Sequence, residues 1–252
     1  MPDGWILAAG CGVVAGLANV TGGLLAASRR GWDRVHQSYF VAAGAGFMLA
    51  AVTLRMVPES YRLAGSGKGL LTVGTLVLLG YLLVHFAEHV LVGHFHFGEE
   101  THSEHWVEPV VGTTALVGLM MHAFFDGVSI GSGFLITPGL GLLVAVAIFL
   151  HKIPEGFTVA SIMAAAGRSR KQAAMSAAVL GGTTLAGVLT ISAWGSLVQF
   201  ALPCSAGAAL YVAASDLIPA VNETKGIRMA LWVFGGVAFF YLTETLLAGL
   251  GL

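Results

Sequence analysis

Two short stretches of the chain repeat one pattern of residues that can bind a metal ion. The first is His122-Ala-Phe-Phe-Asp126-Gly127, and the second is His151-Lys-Ile-Pro-Glu155-Gly156. Each lies inside a long apolar run, where an ionisable side chain is costly and is normally present for a function. Two such pairs in one pattern indicate a shared task.

The spacing within each pair favours metal binding. Residues four apart lie on one face of a helix, about 6 Å apart along its axis, so His122 with Asp126, and His151 with Glu155, each offer two ligands. Two imidazole nitrogens and two carboxylate oxygens suit Zn²⁺ and also tolerate Fe²⁺, Mn²⁺ or Cd²⁺. The alternative is a pair of interhelical hydrogen bonds that stabilise a bundle, which the repetition of the pattern disfavours.

Lys152 places a cation beside the predicted cation site. One interpretation is that its ammonium occupies the place of a second metal and bridges Asp126 or Glu155 as a tethered counter-charge. The other is that Lys152 points about 100° away from His151 around the helix and snorkels or pairs elsewhere. The sequence leaves both open.

The residues next to these ligands predict helix contacts and a bend. Pro154 lacks a backbone N–H, which frees the carbonyl of Leu150 and predicts a kink that lets the site open. Gly127 and Gly156 directly follow the two carboxylates and permit close approach of neighbouring helices.

The composition predicts that membrane-spanning helices carry these residues. The 252 residues are 56% hydrophobic and 10% charged, whereas an ordinary soluble domain has roughly 25% charged residues. The net charge of −1 gives no reason to expect nucleic acid as a partner. We therefore expect an integral membrane protein with an all-α fold, forming a single transmembrane domain over residues 1–252.

Eight apolar runs are long enough to cross a bilayer core of about 30 Å, which takes about 20 helical residues. The predicted helices 1 to 8 cover residues 5–28, 37–57, 69–93, 109–133, 139–166, 172–198, 204–222 and 228–250.

Basic residues near helix ends predict the orientation, because Lys and Arg favour the cytoplasmic side. One side carries Arg29, Arg30, Arg34, Arg168, Arg170, Lys171, Lys225 and Arg228. The other side carries Arg62 and Lys68. Both termini are therefore predicted outside, and the loop at 94–108 inside.

Helices 2 and 7 align without a gap, from Ala45-Gly46 to Val57-Pro58 and from Ala206-Gly207 to Ile218-Pro219. The two helices would run in opposite directions, so the match predicts inverted repeats, as in many transporters. Shared small apolar composition is the alternative explanation.

Other residues suggest a pathway for the ion. Glu59, at the outer end of helix 2, is a candidate entrance residue, and Asp216, in the inner half of helix 7, is a candidate exit residue. Met48 could add a thioether ligand, although a Met in an apolar helix is more often packing.

A histidine-rich loop follows helix 3, which itself carries His85, Glu88 and His89 on one face. Within the loop at 94–108, the twelve residues 94–105 contain His94, His96, His102 and His105 together with three glutamates. Such a segment attracts metal ions and could receive, buffer or sense them; an unstructured acidic loop with incidental histidines is the alternative.

With both His-x-x-x-carboxylate-Gly motifs, eight helices and a His-rich third loop, the chain resembles the ZIP (Zrt/Irt-like protein) family of divalent metal transporters. The resemblance covers almost the whole chain and includes Leu217-Ile218-Pro219 at the end of helix 7. It implies that His122, Asp126, His151 and Glu155 line the transport site. It also implies that helices 1–3 and 6–8 are inverted repeats around helices 4 and 5.

Two departures from the family pattern bear on the number of ions. Many members have Asn and an acid after the two histidines, where this chain has Ala123 and Lys152. The helix 6 Glu of some bacterial members is also replaced, with Thr183 or Thr184 nearest. The chain therefore resembles a branch with one transported ion at the site.

We expect a transporter that carries a divalent metal, above all Zn²⁺, into the cytoplasm without any cofactor and without enzyme activity. The chain's modest length suggests a prokaryotic cytoplasmic membrane, and a homodimer is compatible with the sequence. The rival interpretations are an intramembrane metal-dependent hydrolase, which would need an open coordination position and a general base, and a metal sensor that binds ions without flux.

Overall fold

The computed structural model describes residues 4–28, 34–65, 67–91, 109–223 and 226–252. These residues are almost entirely helical and contain no β-strand. We label eight long helices in chain order: α1 Gly4–Ala27; α2 Arg34–Ala51, continued by Val52–Met56 and Val57–Ala64; α3 Lys68–Phe86, continued by Ala87–Leu91; α4 Pro109–Ile136; α5 Pro138–Ala165; α6 Arg170–Ala193; α7 Gly195–Leu197, Val198–Tyr211, Val212–Leu217 and Ile218–Glu223; and α8 Ile227–Gly249.

All eight helices are long and apolar enough to cross a membrane, which confirms the predicted all-α polytopic fold. Their ends differ most from the sequence prediction in two places. The second helix continues past Pro58 to Ala64, and the seventh begins before Pro203, which lies inside its segment Val198–Tyr211. The predicted boundaries at 57 and 204 lie next to these prolines, but a helix can continue past a proline where other groups satisfy the freed carbonyl.

Two of the helices contain a π-helical segment directly before a proline. In α2 the segment Val52–Met56 precedes Pro58, and in α7 the segment Val212–Leu217 precedes Pro219. A π segment shifts the i→i+4 bonding register by one residue, so it changes which carbonyls a proline leaves without a donor. The two helices that align in sequence thus also share an irregularity of the backbone.

Helices α4 and α5 are joined by a tight connection that is well capped. Thr137 is the N-cap of α5, and its side chain accepts a hydrogen bond from the backbone N–H of Leu140 at 3.1 Å. Pro138 occupies the first turn, where its missing N–H has no cost. Helix α5 then runs without interruption through Pro154 to Ala165, and the Leu150 carbonyl lies at the contact with Gly44 of α2.

The main helix pairings each join one of the helices α1–α4 to one of the helices α5–α8. Helix α5 packs against α1 while α4 packs against α6, and α2 packs against α8 while α3 packs against α7. In each pairing the helices touch through glycines that face a carbonyl of the partner helix. The contacts are Gly156 on Asn19, Gly22 on Ile153, Gly127 on Thr184, Gly187 on Phe124, Gly46 on Val233, Gly236 on Ala43, Gly207 on Val77 and Gly80 on Cys204.

These glycine contacts match each other across the two halves. The gapless alignment of α2 with α7 places Gly46 on Gly207 and Ala43 on Cys204, and the partner residues in α3 and α8 have the same spacing. The same correspondence relates α1 to α6 and α4 to α5. The matched contacts support the predicted inverted repeat, with α4 and α5 at its centre.

The glycine contacts leave no room for a side chain, which gives a direct test of the packing. A Cβ at Gly207 would lie 1.8 Å from the Val77 carbonyl oxygen, whereas a Cβ at Gly182 would meet no atom within 4 Å. We expect Gly207→Ala to destabilise the protein by about 1–3 kcal/mol through overpacking. Gly182→Ala is the control and should leave stability unchanged or raise it by up to about 1 kcal/mol. Thermal denaturation of both variants in detergent measures this difference, and equal melting temperatures would contradict the packing described.

Candidate metal centre

The four residues of the repeated motif meet at one point in the centre of the bundle. His122 and Asp126 come from α4, and His151 and Glu155 come from α5. Each offers a ligand atom, and these four atoms all lie within 4.8 Å of one another. All four side chains are buried, with Asp126 the most accessible at 3% exposure. Two helices that pass side by side thus assemble the ligand set that the spacing predicted.

The Asp126 carboxylate is the hub of the cluster. Its Oδ2 atom lies 3.1 Å from Nε2 of His122 and 3.2 Å from Nε2 of His151. The same oxygen lies 2.7 Å from Nζ of Lys152. The other ring nitrogen of His151, Nδ1, lies 3.2 Å from the Ala147 carbonyl oxygen. Holding Nδ1 on a carbonyl directs Nε2 into the cluster, as is usual for histidines that bind metals.

Lys152 lies inside the cluster and not away from it. Its side chain is 0% exposed, and its ammonium contacts the carboxylates of both Asp126 and Glu155. The position corresponds to the first of the two interpretations of this lysine, a tethered cation between the two carboxylates. Because ammonium groups have three donors, Lys152 can satisfy both acids at once.

Several polar atoms of the cluster have no hydrogen-bond partner among the described residues. They include Oε1 of Glu155 and both ring nitrogens of His122, whose 3.1 Å approach to Asp126 is not aligned as a hydrogen bond. Unpartnered buried polar atoms are rare in folded proteins, since each costs free energy. Here Oε1 of Glu155 and one ring nitrogen of His122 offer lone pairs that a divalent cation would use, so the donor set fits a metal ion.

Close packing around the two carboxylates holds the cluster together. Gly127 and Gly156, each next to its carboxylate, lie against the backbone carbonyls of Thr184 in α6 and Asn19 in α1. Such contacts fix α4 and α5 between two neighbouring helices. The predicted close approach at these glycines is present, but it joins each site helix to an outer helix.

The two candidate pathway residues lie at opposite ends of the bundle. Glu59 lines a cavity of about 190 Å³ with Arg55, Arg62, Thr137 and Leu140, beside the α4–α5 connection. The Arg62 Nε atom donates to both oxygens of the Glu59 carboxylate, at 2.9 and 2.8 Å. An exposed arginine therefore already neutralises the candidate entrance residue.

Asp216 lies on the other side, in the π segment of α7. It is buried and contacts the carboxyl group of Glu88 at the end of α3, which also contacts the hydroxyl of Tyr211. His122 interacts electrostatically with both Asp216 and Glu88. These polar groups extend from the four-residue cluster towards the end of the bundle where α3 ends and α4 begins.

The remaining candidates fall outside the cluster or outside the described residues. Met48 is buried in the main apolar cluster together with Val144 and Ile148, which corresponds to the packing interpretation. The four loop residues His94, His96, His102 and His105 lie outside the described residues.

The structure adds two features that sequence reasoning missed. The contact between Glu88 and Asp216 joins residues far apart in the chain, and their sequence positions gave no signal for it. Asn19 is 0% exposed in α1, and neither atom of its side-chain amide has a hydrogen-bond partner among the described residues. An Asn in an apolar helix is a signal that could have singled it out.

Comparison with known proteins places this architecture in one family. A family model described as ZIP Zinc transporter matches residues 99–244. Zinc transporter ZIP9 of Micropogonias undulatus is 30% identical over 166 residues, covering 60% of this chain and 52% of the relative. Zinc transporter SLC39A7 of Rattus norvegicus is 30% identical over 148 residues, covering 53% of this chain and 32% of the relative.

The chain belongs to the ZIP zinc transporter family, because the family match covers more than half of its length, including both repeated motifs. It spans about half the length of the ZIP9 relative and about a third of the SLC39A7 relative. It is an integral membrane protein whose relatives carry the names of transporters and not of enzymes.

Replacing Lys152 tests whether its ammonium is the counter-charge of the Asp126 and Glu155 carboxylates. We expect Lys152→Met to lower the free energy of unfolding of the metal-free protein by about 3–5 kcal/mol, because it leaves the Asp126 and Glu155 carboxylates without their counter-charge. Thermal denaturation in a chelator measures the loss. Adding Glu155→Gln to the Lys152→Met variant removes one of the uncompensated charges and should restore part of the stability. A Lys152→Met protein as stable as the wild type would show that the ammonium is not the counter-ion.

Proposed function

We propose that this protein transports a divalent transition-metal ion, with Zn²⁺ as the principal substrate, through the cluster of His122, Asp126, His151 and Glu155. The observation that carries the proposal is the convergence of these four buried ligands at the centre of a bundle that belongs to a family of zinc transporters. Two imidazoles and two carboxylates match the coordination preferences of Zn²⁺.

We propose that the site binds one metal ion at a time. In the proposed cycle the Lys152 ammonium balances the carboxylates between ions, and the arriving cation replaces it at Asp126 and Glu155. The contacts of Lys152 with both acids support this role. Ala123, in the equivalent position after the other histidine, provides no further ligand.

The proposed route connects the two ends of the bundle through the cluster. The ion would arrive at the cavity beside Glu59, exchange its hydration water for the four ligands, and leave past Asp216 and Glu88 towards the 94–108 segment. Alternating access would come from movement of the two flanking helix triplets relative to α4 and α5, which the matched glycine contacts of the two halves support. The predicted kink at Pro154 would help the site to open.

The orientation proposed from the basic residues makes this route inward. Exposed Arg168, Arg170 and Lys171 follow α5 at the same end as the 94–108 segment, as expected for a cytoplasmic side. Both termini would then be outside. A prokaryotic cytoplasmic membrane stays a prediction from the sequence, as does a homodimer.

Membership of a transporter family favours transport over the two rival functions. An intramembrane hydrolase needs a metal with an open position and a free general base beside it. Both carboxylates of the cluster are instead occupied by Lys152. A sensor without flux has the same ligands, so only a measurement of transport separates the two.

The decisive experiment is Zn²⁺ uptake into proteoliposomes that contain the purified protein. We expect uptake by the wild type and its loss, by more than about tenfold, in His122→Ala and Glu155→Ala, because each removes one metal ligand. Competition with Fe²⁺, Mn²⁺ and Cd²⁺ ranks the ions.

Glu223→Gln is the matched control, since Glu223 is exposed at the end of α7 and should not change uptake. Saturable Zn²⁺ binding without uptake of any of the four ions would refute transport and favour a sensor. Uptake unaffected by the two alanine variants would place the transport site elsewhere.

The histidine-rich segment is proposed to receive or sense ions and not to form the transport site. Replacing His94, His96, His102 and His105 with Ser should therefore preserve Zn²⁺ uptake into proteoliposomes under saturating Zn²⁺. The response of uptake to the Zn²⁺ concentration inside the vesicle should change, because a cluster of imidazole ligands is removed. Abolished uptake at saturating Zn²⁺ would assign the segment to the transport path itself.

A further inference from the structure

We propose that Asn19 provides a second binding position for the Lys152 ammonium. When a metal ion binds the carboxylates of Asp126 and Glu155, the ammonium moves to Asn19 and donates a hydrogen bond to its Oδ1 atom. This inference rests on the proposed function, because it concerns what happens to Lys152 when the ion binds. It assigns to α1 a residue that determines the metal affinity of a site built on α4 and α5.

The first observation is the state of the Asn19 side chain. It is 0% exposed, and both Oδ1 and Nδ2 lack a hydrogen-bond partner among the described residues. An unpartnered amide in an apolar helix is destabilising, so its presence calls for a conformation in which it is used. The amide offers one acceptor and two donors.

The second observation is the position of Asn19 on α5. A Cβ added at Gly156 would lie 2.0 Å from the Asn19 carbonyl oxygen and 2.8 Å from its Cα. Gly156 is one helical turn beyond Lys152 and on the same face of α5. The Lys152 ammonium contacts the carboxylate of Glu155, the residue directly before Gly156. In the proposed movement, rotation about the flexible methylenes of the lysine brings the ammonium from the carboxylates to Asn19.

The third observation is a difference between the contact of α1 with α5 and the contact of α6 with α4. Thr184 has the same relation to Gly127 that Asn19 has to Gly156, and its hydroxyl is satisfied by the Leu180 carbonyl at 3.3 Å. Helix α4 has Ala123 after its histidine, where α5 has Lys152. The unpartnered polar side chain thus occurs on the side of the bundle that holds the lysine, and a satisfied hydroxyl on the side without one.

The physical need for such an acceptor follows from the burial of Lys152. A divalent ion at Asp126 and Glu155 repels the ammonium, and an ammonium moved into apolar packing without a partner would be very unfavourable. The Oδ1 atom of Asn19 keeps the displaced cation solvated by a neutral dipole. The Oε1 atom of Glu155 also has no hydrogen-bond partner among the described residues.

A double-mutant cycle with Zn²⁺ as the probe tests the coupling of the two residues. The dissociation constant for Zn²⁺ is measured with the full chain in detergent for the wild type, Asn19→Leu, Lys152→Met and the double variant. We expect Asn19→Leu to weaken binding by about tenfold or more when Lys152 is present, the loss of one hydrogen bond to a charged group. In the Lys152→Met background the same change should leave the dissociation constant almost unchanged.

Two further variants sharpen the experiment. Asn19→Asp provides a stronger acceptor for the ammonium, so it should tighten Zn²⁺ binding when Lys152 is present and lose this effect in Lys152→Met. Thr184→Val is the matched control in the other half and should leave the dissociation constant unchanged. Zn²⁺ binding by the double variant at the level of Lys152→Met shows that Leu at position 19 does not prevent folding.

Each outcome has a distinct meaning. Equal weakening by Asn19→Leu in both backgrounds would overturn the proposal and make Asn19 a direct metal ligand or a packing residue. No weakening in either background would overturn it as well. Absence of Zn²⁺ binding by the wild type would overturn the proposed function, and with it this inference, whereas the other two outcomes leave the proposed function intact.

Discussion

The structure depends on one electrostatic constraint: two carboxylates lie in the apolar centre of a membrane bundle and need a positive charge at close range. Asp126 and Glu155 are at most 3% exposed, so water cannot provide it. Lys152 supplies it from within the chain, in contact with both acids. A buried ion pair of this kind contributes little net stability, but the loss of one partner is strongly destabilising. The cluster is therefore suited to exchanging one cation for another.

The backbone packing follows from the need to hold this cluster between helices. Glycines next to both carboxylates let α1 and α6 approach α5 and α4 until backbone meets backbone. In lipid there is little hydrophobic drive between helices, so such close contacts and interhelical polar contacts provide the specificity. The same arrangement recurs farther out, where α2 meets α8 and α3 meets α7. The bundle is thus held by matched sets of contacts around the two site helices.

The α1–α5 pair and the α4–α6 pair differ in the side chains near the four-residue cluster. The glycine contacts between α1 and α5 and between α4 and α6 match in spacing, but the first pair of helices has Lys152 and Asn19 and the second has Ala123 and Thr184. The difference in side chains places one ammonium, that of Lys152, at the site from α5, where α4 has Ala123. The lysine thus gives the site a charge of its own without changing the helix packing.

The sequence by itself determined the eight helices and the four residues of the candidate metal site. Long apolar runs have no alternative to a helix in lipid, because every backbone polar group must be satisfied internally. The i, i+4 spacing fixes each ligand pair on one helix face before any tertiary contact is known. The family resemblance of the two motifs followed from the same residues. Helix ends were less certain, because α2 continues past Pro58 to Ala64 and α7 begins before Pro203.

Only the tertiary structure decided which groups meet across helices. The sequence left the direction of the Lys152 side chain open, since a lysine can reach several faces of a helix. The packed bundle places it between Asp126 and Glu155. Likewise, the contact of Glu88 with Asp216 and the burial of Asn19 against Gly156 depend on helix pairing, which local spacing does not encode. The sequence determined the residues of the candidate site because each pair is set by local helical periodicity, and the fold decided their charge balance because it arises between distant segments.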